Sequence, residues 1–276
     1  MATMTLFKAV QAHAGAQAAT ISKHLRNAKI RDFSDLTRAG VMNLRDELRK
    51  SLAPSSAKTV AASLVALLRR YEDEGAIPCR DYATILRLKG EAPVKTYLNE
   101  QELERLERVE TRTINERVVL NEFLVGTKTG ARLSDIREMT ETNVTRGTLT
   151  YTSKKTGITA SVPCSDKTVG RLRWLQENGK DVDTATFNRI IRRLCKRAGI
   201  DEQVKVHKGG EDMTGPKWKF ISSHSARISV ATNLADNGTP LTDIRDILGH
   251  TGTAMTSRYV CRRDVKLNEK SLALFK

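Results

Sequence analysis

Apolar residues recur every three to four positions through the first ninety residues, a spacing that predicts amphipathic helices. The clearest helix is predicted over about residues 55–74, where Pro54 begins it and Gly75 ends it. Its apolar stripe consists of Val60, Leu64, Leu67, Leu68 and Tyr71. Shorter helices are predicted at about 6–18, 21–29 and 38–51. Together these helices would close a small bundle.

The pattern changes at residues 91–95, which predict a linker. Asn99 then opens a new helix, with Glu102 three residues later as its capping-box partner. The sequence therefore predicts two domains, an all-helical one over 1–92 and a second one over 93–276.

Helices also dominate the second domain, with one short β-rich part. Residues 149–152 and 158–162 flank the turn 154–157, which predicts a β-hairpin. Residues 205–219 are polar and glycine-rich, as in an exposed loop or a ragged hairpin. The predicted helices lie at about 114–126, 166–177, 184–198, 224–237, 241–248 and 253–259. The expected fold class is mainly α with a small β-sheet in the second domain (α+β).

The chain is strongly basic, with a formal net charge of +15 over 276 residues and a pI near 9.8. Residues 1–92 hold 15 Lys and Arg against 9 Asp and Glu, and residues 93–276 hold 32 against 23. Both parts are therefore expected to meet the same polyanion, most simply nucleic acid. A solvated basic surface is the alternative.

Cysteine spacing and hydropathy exclude several classes of protein. Cys79, Cys164, Cys195 and Cys261 are widely scattered and form no CxxC pair, which argues against a zinc site and a disulfide framework. This usage suits a reducing cytoplasm. The longest apolar run, residues 60–68, is too short for a membrane span. The first residues lack a basic start followed by an apolar core, so no secretory signal is expected.

Candidate chemistry comes from four motifs in a fixed order. Arg132 stands in the stretch Thr-Gly-Ala-Arg-Leu-Ser-Asp-Ile. His224 and Arg227 are three residues apart, so one helical turn brings both side chains to the same spot. His250 follows a glycine, and Tyr259 lies nine residues after it. Arginines can neutralise a phosphodiester during metal-free attack, so these residue types predict a tyrosine nucleophile acting on a phosphodiester.

These motifs resemble those of the tyrosine recombinases, the phage-integrase family. The resemblance covers about residues 97–262, including the entry phrase at 97–103, whereas over 1–92 it rests on helical composition and one helix. Ile228 and Ser229 depart from the family, which often has an aromatic residue or a histidine there; this departure concerns packing. An arm-type DNA-binding domain ahead of the bundle is not expected, because the bundle begins close to the start of the sequence.

The resemblance implies a role for each motif residue. Tyr259 would be the nucleophile, forming a 3′-phosphotyrosyl bond and releasing a 5′ hydroxyl. Arg132 and Arg227 would clamp the phosphate. His224 would assist proton transfer or hydrogen-bond a phosphoryl oxygen, and His250 would donate a hydrogen bond to the phosphate. No metal or other cofactor is implied.

The leaving 5′ oxygen needs an acid, and family members use a lysine on a β-hairpin tip. Lys155 is preferred over Lys154, because the Lys-Thr-Gly phrase that it opens resembles the family's strand pattern. Both lysines could instead only contact phosphates. Asp135 would either orient Arg132 or cap a helix start.

Further basic residues are expected to contact DNA. These are Lys58, Arg69, Arg70, Lys154, Arg189, Arg192, Arg193 and Lys196, with Arg197 in the same helical run. The run 189–197 could alternatively be a solvated face. The two domains would form a C-shaped clamp on duplex DNA. The tail 260–276 would pack on its own domain or on a neighbouring protomer.

The resemblance implies a site-specific DNA recombinase for integration, excision, inversion or resolution of DNA. It would bind double-stranded DNA with inverted half-sites and act there as a homotetramer through a Holliday junction. In free solution it would be a monomer. Accessory DNA-bending proteins are optional partners. A bacterial, phage or mobile-element protein acting at the cytoplasmic nucleoid fits this picture. Alternatives are a type IB topoisomerase-like enzyme and a non-catalytic DNA-binding relative, although the complete motif set argues against the latter.

Overall fold

The computed structural model describes residues 5–72, 77–91, 94–179 and 181–261, with Lys208 described by its backbone only. The end of the predicted 55–74 helix, part of the predicted linker and the tail beyond Cys261 lie outside these residues. The chain divides into two compact units. The first comprises Met1–Pro93 and His207–Asp212, and the second comprises Val94–Val206 and Met213–Lys276.

The first unit is helical, as its apolar periodicity predicts. Its helices are α1 (Leu6–His13), α2 (Ala18–Asn27), α3 (Arg38–Ser51), α4 (Pro54–Leu68) and α5 (Tyr82–Ile85). Leu25, Leu44 and Leu48 are at most 1% exposed in its core. The predicted helix over 6–18 is wrong in one respect, because Gly15 takes a φ of +51° and the chain starts a new helix at Ala18.

Local signals set the ends of the other helices in this unit. The Thr37 side chain accepts a hydrogen bond from the Gly40 amide and caps α3. Pro54 occupies the first turn of α4, where its missing N–H costs nothing. The α-helix ends at Leu68 and passes into a 3₁₀ turn over Arg69–Tyr71, earlier than the predicted end near residue 74.

The second unit is built around one buried helix. Its helices are α6 (Glu100–Glu107), α7 (Ile114–Thr129), α8 (Leu133–Ile136), α9 (Asp166–Asn178), α10 (Thr184–Arg197), α11 (Ser223–Asp236), α12 (Leu241–Leu248) and α13 (Thr253–Ser257). The predicted capping box between Asn99 and Glu102 is present at the start of α6. Apolar residues cover most of the circumference of α7, which packs against α9, α10 and α11.

The chain also forms two small antiparallel sheets. Strands β1 (Val144–Thr145), β2 (Thr148–Thr152) and β3 (Thr159–Pro163) form an antiparallel sheet in that order. Alternate residues of β2 and β3 are buried, as a one-sided sheet requires. Strands β4 (Gln203–Lys208) and β5 (Glu211–Pro216) pair in the polar segment, so the hairpin alternative is the correct one there.

The mainly α class with small sheets is confirmed. No helix among the described residues combines the length and the apolarity that crossing a bilayer requires.

A buried ion pair that sequence patterns do not indicate lies in the second unit. Lys217 is 0% exposed, and its Nζ donates to Oε2 of Glu102 at 2.7 Å. The same carboxylate oxygen accepts from the Asn99 amide at 2.8 Å, so it closes the cap of α6. The ammonium also lies 5.3 Å from the centroid of the Tyr97 ring. The pair therefore joins the start of α6 to the segment that follows β5.

Removing one member of this pair should strongly destabilise the second unit. We expect Lys217→Met to lower the free energy of unfolding by about 3–5 kcal/mol, because it strands a buried carboxylate. Urea denaturation followed by tryptophan fluorescence measures this, since both tryptophans, Trp174 and Trp218, lie in the second unit.

Two controls separate a stranded charge from a general loss of packing. Glu138→Gln breaks the exposed pair with Lys154, whose side chains are both 61% exposed, and should cost about 1 kcal/mol or less. Lys217→Met combined with Glu102→Gln keeps the cap but removes the stranded charge, so it should recover part of the loss. A single Lys217→Met variant as stable as the Glu138→Gln control would contradict the prediction.

Candidate active site

The predicted motif residues meet at one pocket of about 390 Å³ in the second unit. The pocket is lined by Arg132, Lys155, His224, Arg227 and Tyr259. Its remaining lining residues are Ala131, Leu133, Ser134, Thr156, Ser223 and Met255. The sixth predicted residue, His250, packs against Tyr259 with the ring centroids 4.8 Å apart.

A tight turn after α7 places Arg132. Gly130 adopts a φ of +68°, and a Cβ there would lie 2.7 Å from Cδ2 of Leu248, so both backbone and space require glycine. Arg132 follows as the N-cap of α8, and its Nη1 donates to Oγ of Ser153 at 2.7 Å. The hydroxyl thus holds the guanidinium at the edge of the pocket.

Asp135 ties this turn to the β2–β3 hairpin. Its Oδ1 accepts from the backbone amide of Lys154 at 3.1 Å, and its Oδ2 lies 3.9 Å from Nη1 of Arg132. The side chain is 3% exposed and makes no capping hydrogen bond for α8. Among the described residues, Oδ2 has no hydrogen-bond partner. The geometry thus favours an orienting over a capping role.

Arg227 is the most deeply buried charge of the site, at 1% exposure. Its Nη1 donates to the Gly130 carbonyl at 2.6 Å, and its Nη2 donates to the Leu248 carbonyl at 2.5 Å. In the part of the chain that the structure describes, its Nε–H is buried without a partner. Arg227 thus uses some donors for the fold and retains another.

Both histidines face Tyr259 and resist protonation. The His224 ring lies 5.1 Å from the Tyr259 ring, edge to face. Burial of the ring, followed by the charges of Lys95, Arg227, Arg132 and Lys155, lowers the His224 pKa to about 4, although the residue as a whole is exposed.

His250 is 5% exposed, and burial with the charges of Arg227 and Arg132 lowers its pKa to about 4 as well. Its Nδ1 lies 3.0 Å from Oγ1 of Thr256. Its Nε2 is buried and has no hydrogen-bond partner among the described residues. Both imidazoles are therefore neutral at pH 7.

The two lysines of the hairpin tip point to different surroundings. Nζ of Lys154 lies 2.8 Å from Oε1 of Glu138 in an exposed pair. Lys155 lines the pocket beside Arg132 and Tyr259. This placement supports the preference for Lys155 as the acid.

Tyr259 follows α13, which ends at Ser257, two residues before the predicted end. Its amide donates to the Thr256 carbonyl at 2.8 Å, and its carbonyl accepts from Oγ1 of Thr232 at 3.3 Å. Within the described ranges its phenol hydroxyl makes no hydrogen bond, which leaves this oxygen available to a ligand in the pocket.

Lys95 is a site residue that sequence reasoning missed. Its Nζ lies 4.4 Å from the centroid of the Tyr259 ring and donates to the Arg258 carbonyl at 2.8 Å. The two bonded residues are 163 positions apart, and Lys95 falls in the predicted linker. No local pattern could have singled it out.

The predicted DNA-contact residues fall into two groups: those exposed to solvent and those bound to other residues of the protein. In the first unit Lys58, Arg69 and Arg70 are exposed. Nη1 of Arg70 lies 3.3 Å from Nδ1 of His13. Arg189, on α10, is exposed as well.

The rest of the basic run on α10 is occupied within the second unit. Nη2 of Arg193 and Nη2 of Arg197 lie 3.0 and 2.6 Å from Oε1 of Glu116, which is 2% exposed. Nε of Arg192 donates to the Ile221 carbonyl, and Nζ of Lys196 lies 5.3 Å from the Trp218 ring centroid. Much of this run therefore stabilises the fold.

The two site histidines should titrate far below the ordinary histidine pKa of 6.5. Ring-carbon NMR shifts of His224 and His250 are expected to give pKa values of about 4. The unfolded chain binds more protons between pH 6.5 and 4, so stability should fall as the pH drops through this window.

His207 is an internal control for that titration. Hydrogen bonds to Asp212 and Glu91 raise its pKa, so it should titrate above 6.5 in the same spectra. Titration of His224 and His250 near 6.5 would show that the site is more hydrated and less positive than its geometry indicates.

The chain is similar to a known protein family and to solved structures of known proteins. A sequence profile described as the Phage integrase family matches residues 96–265. No curated protein matches the chain.

Solved structures share the fold over nearly the whole chain. The Tn1549 transposon integrase in complex with a circular intermediate DNA gives a TM-score of 0.71 at 13% identity, with 99% of each chain covered. The lambda integrase tetramer bound to a Holliday junction gives 0.68 at 16% identity, covering 97% of this chain and 81% of that one. The XerH site-specific recombinase bound to a palindromic difH substrate gives 0.65 at 15%, covering 94% and 77%. At such identities these structures show the fold alone.

The family match takes in more than half of the chain and contains every one of the six motif residues. The chain therefore belongs to the phage integrase family, the tyrosine recombinases.

Proposed function

We propose that this protein is a site-specific DNA recombinase that cuts and rejoins DNA through Tyr259. The observation that carries the proposal is the single pocket in which the tyrosine ring meets two arginines, a lysine and a neutral histidine. Those groups supply a nucleophile, phosphate neutralisation and a proton source without a metal. The family membership supports the same reaction.

In the first step the Tyr259 hydroxyl oxygen attacks the phosphorus of a DNA phosphodiester. The new oxygen–phosphorus bond forms as the bond to the 5′ oxygen breaks, leaving a 3′-phosphotyrosyl link and a 5′ hydroxyl. The phenol proton passes to the neutral His224, and Lys155 gives a proton to the 5′ oxygen. Reversal by another strand's 5′ hydroxyl rejoins the DNA, so the bond energy is conserved.

Arg132 is the principal contact for the phosphoryl oxygens in this mechanism. Its guanidinium is held by Ser153 yet lines the pocket. Arg227 contributes its unpaired Nε–H and its positive charge from a buried position. The N-terminal end of α11, where His224 sits, adds a favourable dipole for the anion.

His250 supports the nucleophile from the other side. A hydrogen bond from the Thr256 hydroxyl to Nδ1 would place the ring proton on Nε2, the atom left unpaired. That N–H can donate to a phosphoryl oxygen. His250 would thus bind the phosphate as a neutral donor.

Assembly on DNA extends the same proposal. We expect both units to contact one duplex, residues 1–92 as a DNA-binding domain and 93–276 as the catalytic one, with Lys58, Arg69 and Arg70 on phosphates. The lambda integrase tetramer on a Holliday junction supports a four-protomer assembly on inverted half-sites. Action at the bacterial nucleoid, with accessory DNA-bending proteins where required, completes the expected setting.

The first test is covalent capture. A labelled, nicked duplex from DNA flanking the encoding element, incubated in EDTA, should give a protein–DNA band on a denaturing gel with wild type and none with Tyr259→Phe. Tyr71→Phe, which removes a phenol hydroxyl in the first unit, is the matched control and should retain the band. Tight binding without a band from wild type would point to a DNA-binding relative. Relaxation of supercoiled DNA without site preference would favour the topoisomerase-like alternative.

The role of Lys155 is tested through the leaving group. Lys155→Ala should slow band formation about 10²–10⁴-fold, the usual contribution of a general acid. A substrate with sulfur in place of the 5′ bridging oxygen should largely restore the rate, because a thiolate leaves without a proton. Lys154→Ala, which removes the neighbouring lysine, should change the rate little. Rescue of Lys154→Ala instead would reverse the assignment.

A further inference from the structure

We infer that Lys95 is a positioning residue for the nucleophile, holding the Tyr259 turn in the active site and placing a positive charge against the tyrosine ring. This inference rests on the proposed function, since it assigns a role in Tyr259 chemistry to a residue outside every motif.

The two segments are bonded in both directions. Nζ of Lys95 donates to the Arg258 carbonyl at 2.8 Å. In return, Sγ of Cys261 donates to the Lys95 carbonyl at 3.5 Å. Lys95, in the segment before α6, is therefore hydrogen-bonded to residues on either side of Tyr259.

Among the described residues, the turn that carries Tyr259 is also held by the packing of Tyr259 and Val260 on α11 and α12 and by neutral hydrogen bonds. It follows α13, a helix of only five residues, too short to be stable by itself. The Thr232 hydroxyl donates to the Tyr259 carbonyl at 3.3 Å and accepts from the Cys261 amide at 3.1 Å. Lys95 adds to these neutral bonds one with a charged donor, which is the stronger kind.

The same ammonium faces the reacting ring. It lies 4.4 Å from the Tyr259 ring centroid, within the range of a cation–π contact. As the phenol loses its proton, negative charge spreads into the ring, and a cation on its face stabilises that charge. Among the described residues, His224 and His250, both neutral at pH 7, also contact the ring, and the Arg227 guanidinium lies 5.5 Å from its centroid. Arg132 and Lys155 line the same pocket.

The surroundings of Lys95 strengthen the electrostatic effect of its charge, because water screens a partly buried charge less than an exposed one. The side chain is half-buried, and burial lowers its own pKa. Lys95 is also the strongest of the charges that lower the pKa of His224. Its field therefore reaches both the nucleophile and the histidine that would take the proton.

Tryptic cleavage of the free protein tests the positioning role without DNA. The peptide bond after Arg258 is the one whose carbonyl Lys95 holds, so Lys95→Met should speed cleavage there several-fold, as read by mass spectrometry. Lys95→Arg should restore protection. Lys128→Met, which removes an exposed lysine on α7, should leave the rate unchanged. Equal cleavage of Lys95→Met and wild type would overturn the positioning role.

Covalent capture on the duplex that wild type cleaves tests the charge. At pH 7, Lys95→Met should lower the rate of adduct formation about tenfold, the effect of losing one close opposite charge. The deficit should narrow as the pH rises, because the phenol then ionises unaided. Lys95→Arg should stay near wild type, and Lys128→Met should match it.

The outcomes separate the two proposals. If the wild-type protein forms no adduct, the proposed reaction is contradicted. The tryptic result still decides whether Lys95 holds the turn. A wild-type adduct with a Lys95→Met deficit that is equal at every pH and not rescued by arginine overturns the electrostatic role.

Discussion

The buried guanidinium of Arg227 is the contact on which the site depends. It bonds the Gly130 carbonyl, where α7 ends, and the Leu248 carbonyl, where α12 ends. Arg132 lies two residues beyond the first of these anchors, and His250 lies two residues beyond the second. One side chain on α11 therefore fixes the positions of Arg132 and His250 relative to itself in the proposed site. Its loss would leave two buried carbonyls unpaired, at about 1–3 kcal/mol each, so a defect there would combine misfolding with lost chemistry.

Burial, and after it the charges of the site, explain why its histidines are neutral. Arg132, Arg227, Lys95 and Lys155 all act on His224, so the pocket favours a negatively charged ligand. A protonated imidazole would add a further positive charge to this group at a cost in stability. Neutral histidine can accept the phenol proton and still donate through its other nitrogen. The positive surroundings thus suit the site to a phosphate and also disfavour the protonated histidines, as the proposed reaction requires.

Sequence reasoning succeeded where the signal is local. The capping box at Asn99 and the bounds of α3 depend on spacings of a few positions, which a single sequence displays directly. The motif residues of the pocket lie far apart in the chain, and the resemblance to a known family is what grouped them. Sequence reasoning failed where partners are far apart in the chain. Lys95 meets Arg258 across 163 positions, and the Lys217–Glu102 pair spans 115. Such contacts arise from tertiary packing, which leaves no periodic trace around either partner.

The basic run on α10 shows the same limit in another form. Net charge predicts a polyanionic partner, and helical spacing gathers the arginines on one side, but neither reveals acidic groups on other helices. Glu116 on α7 neutralises part of that charge by accepting from both Arg193 and Arg197. A buried carboxylate needs such partners, so these arginines are held by the core's own electrostatics. The excess charge left for DNA therefore resides more in exposed side chains such as Lys58, Arg69 and Arg189 than in the buried ion pairs of this run.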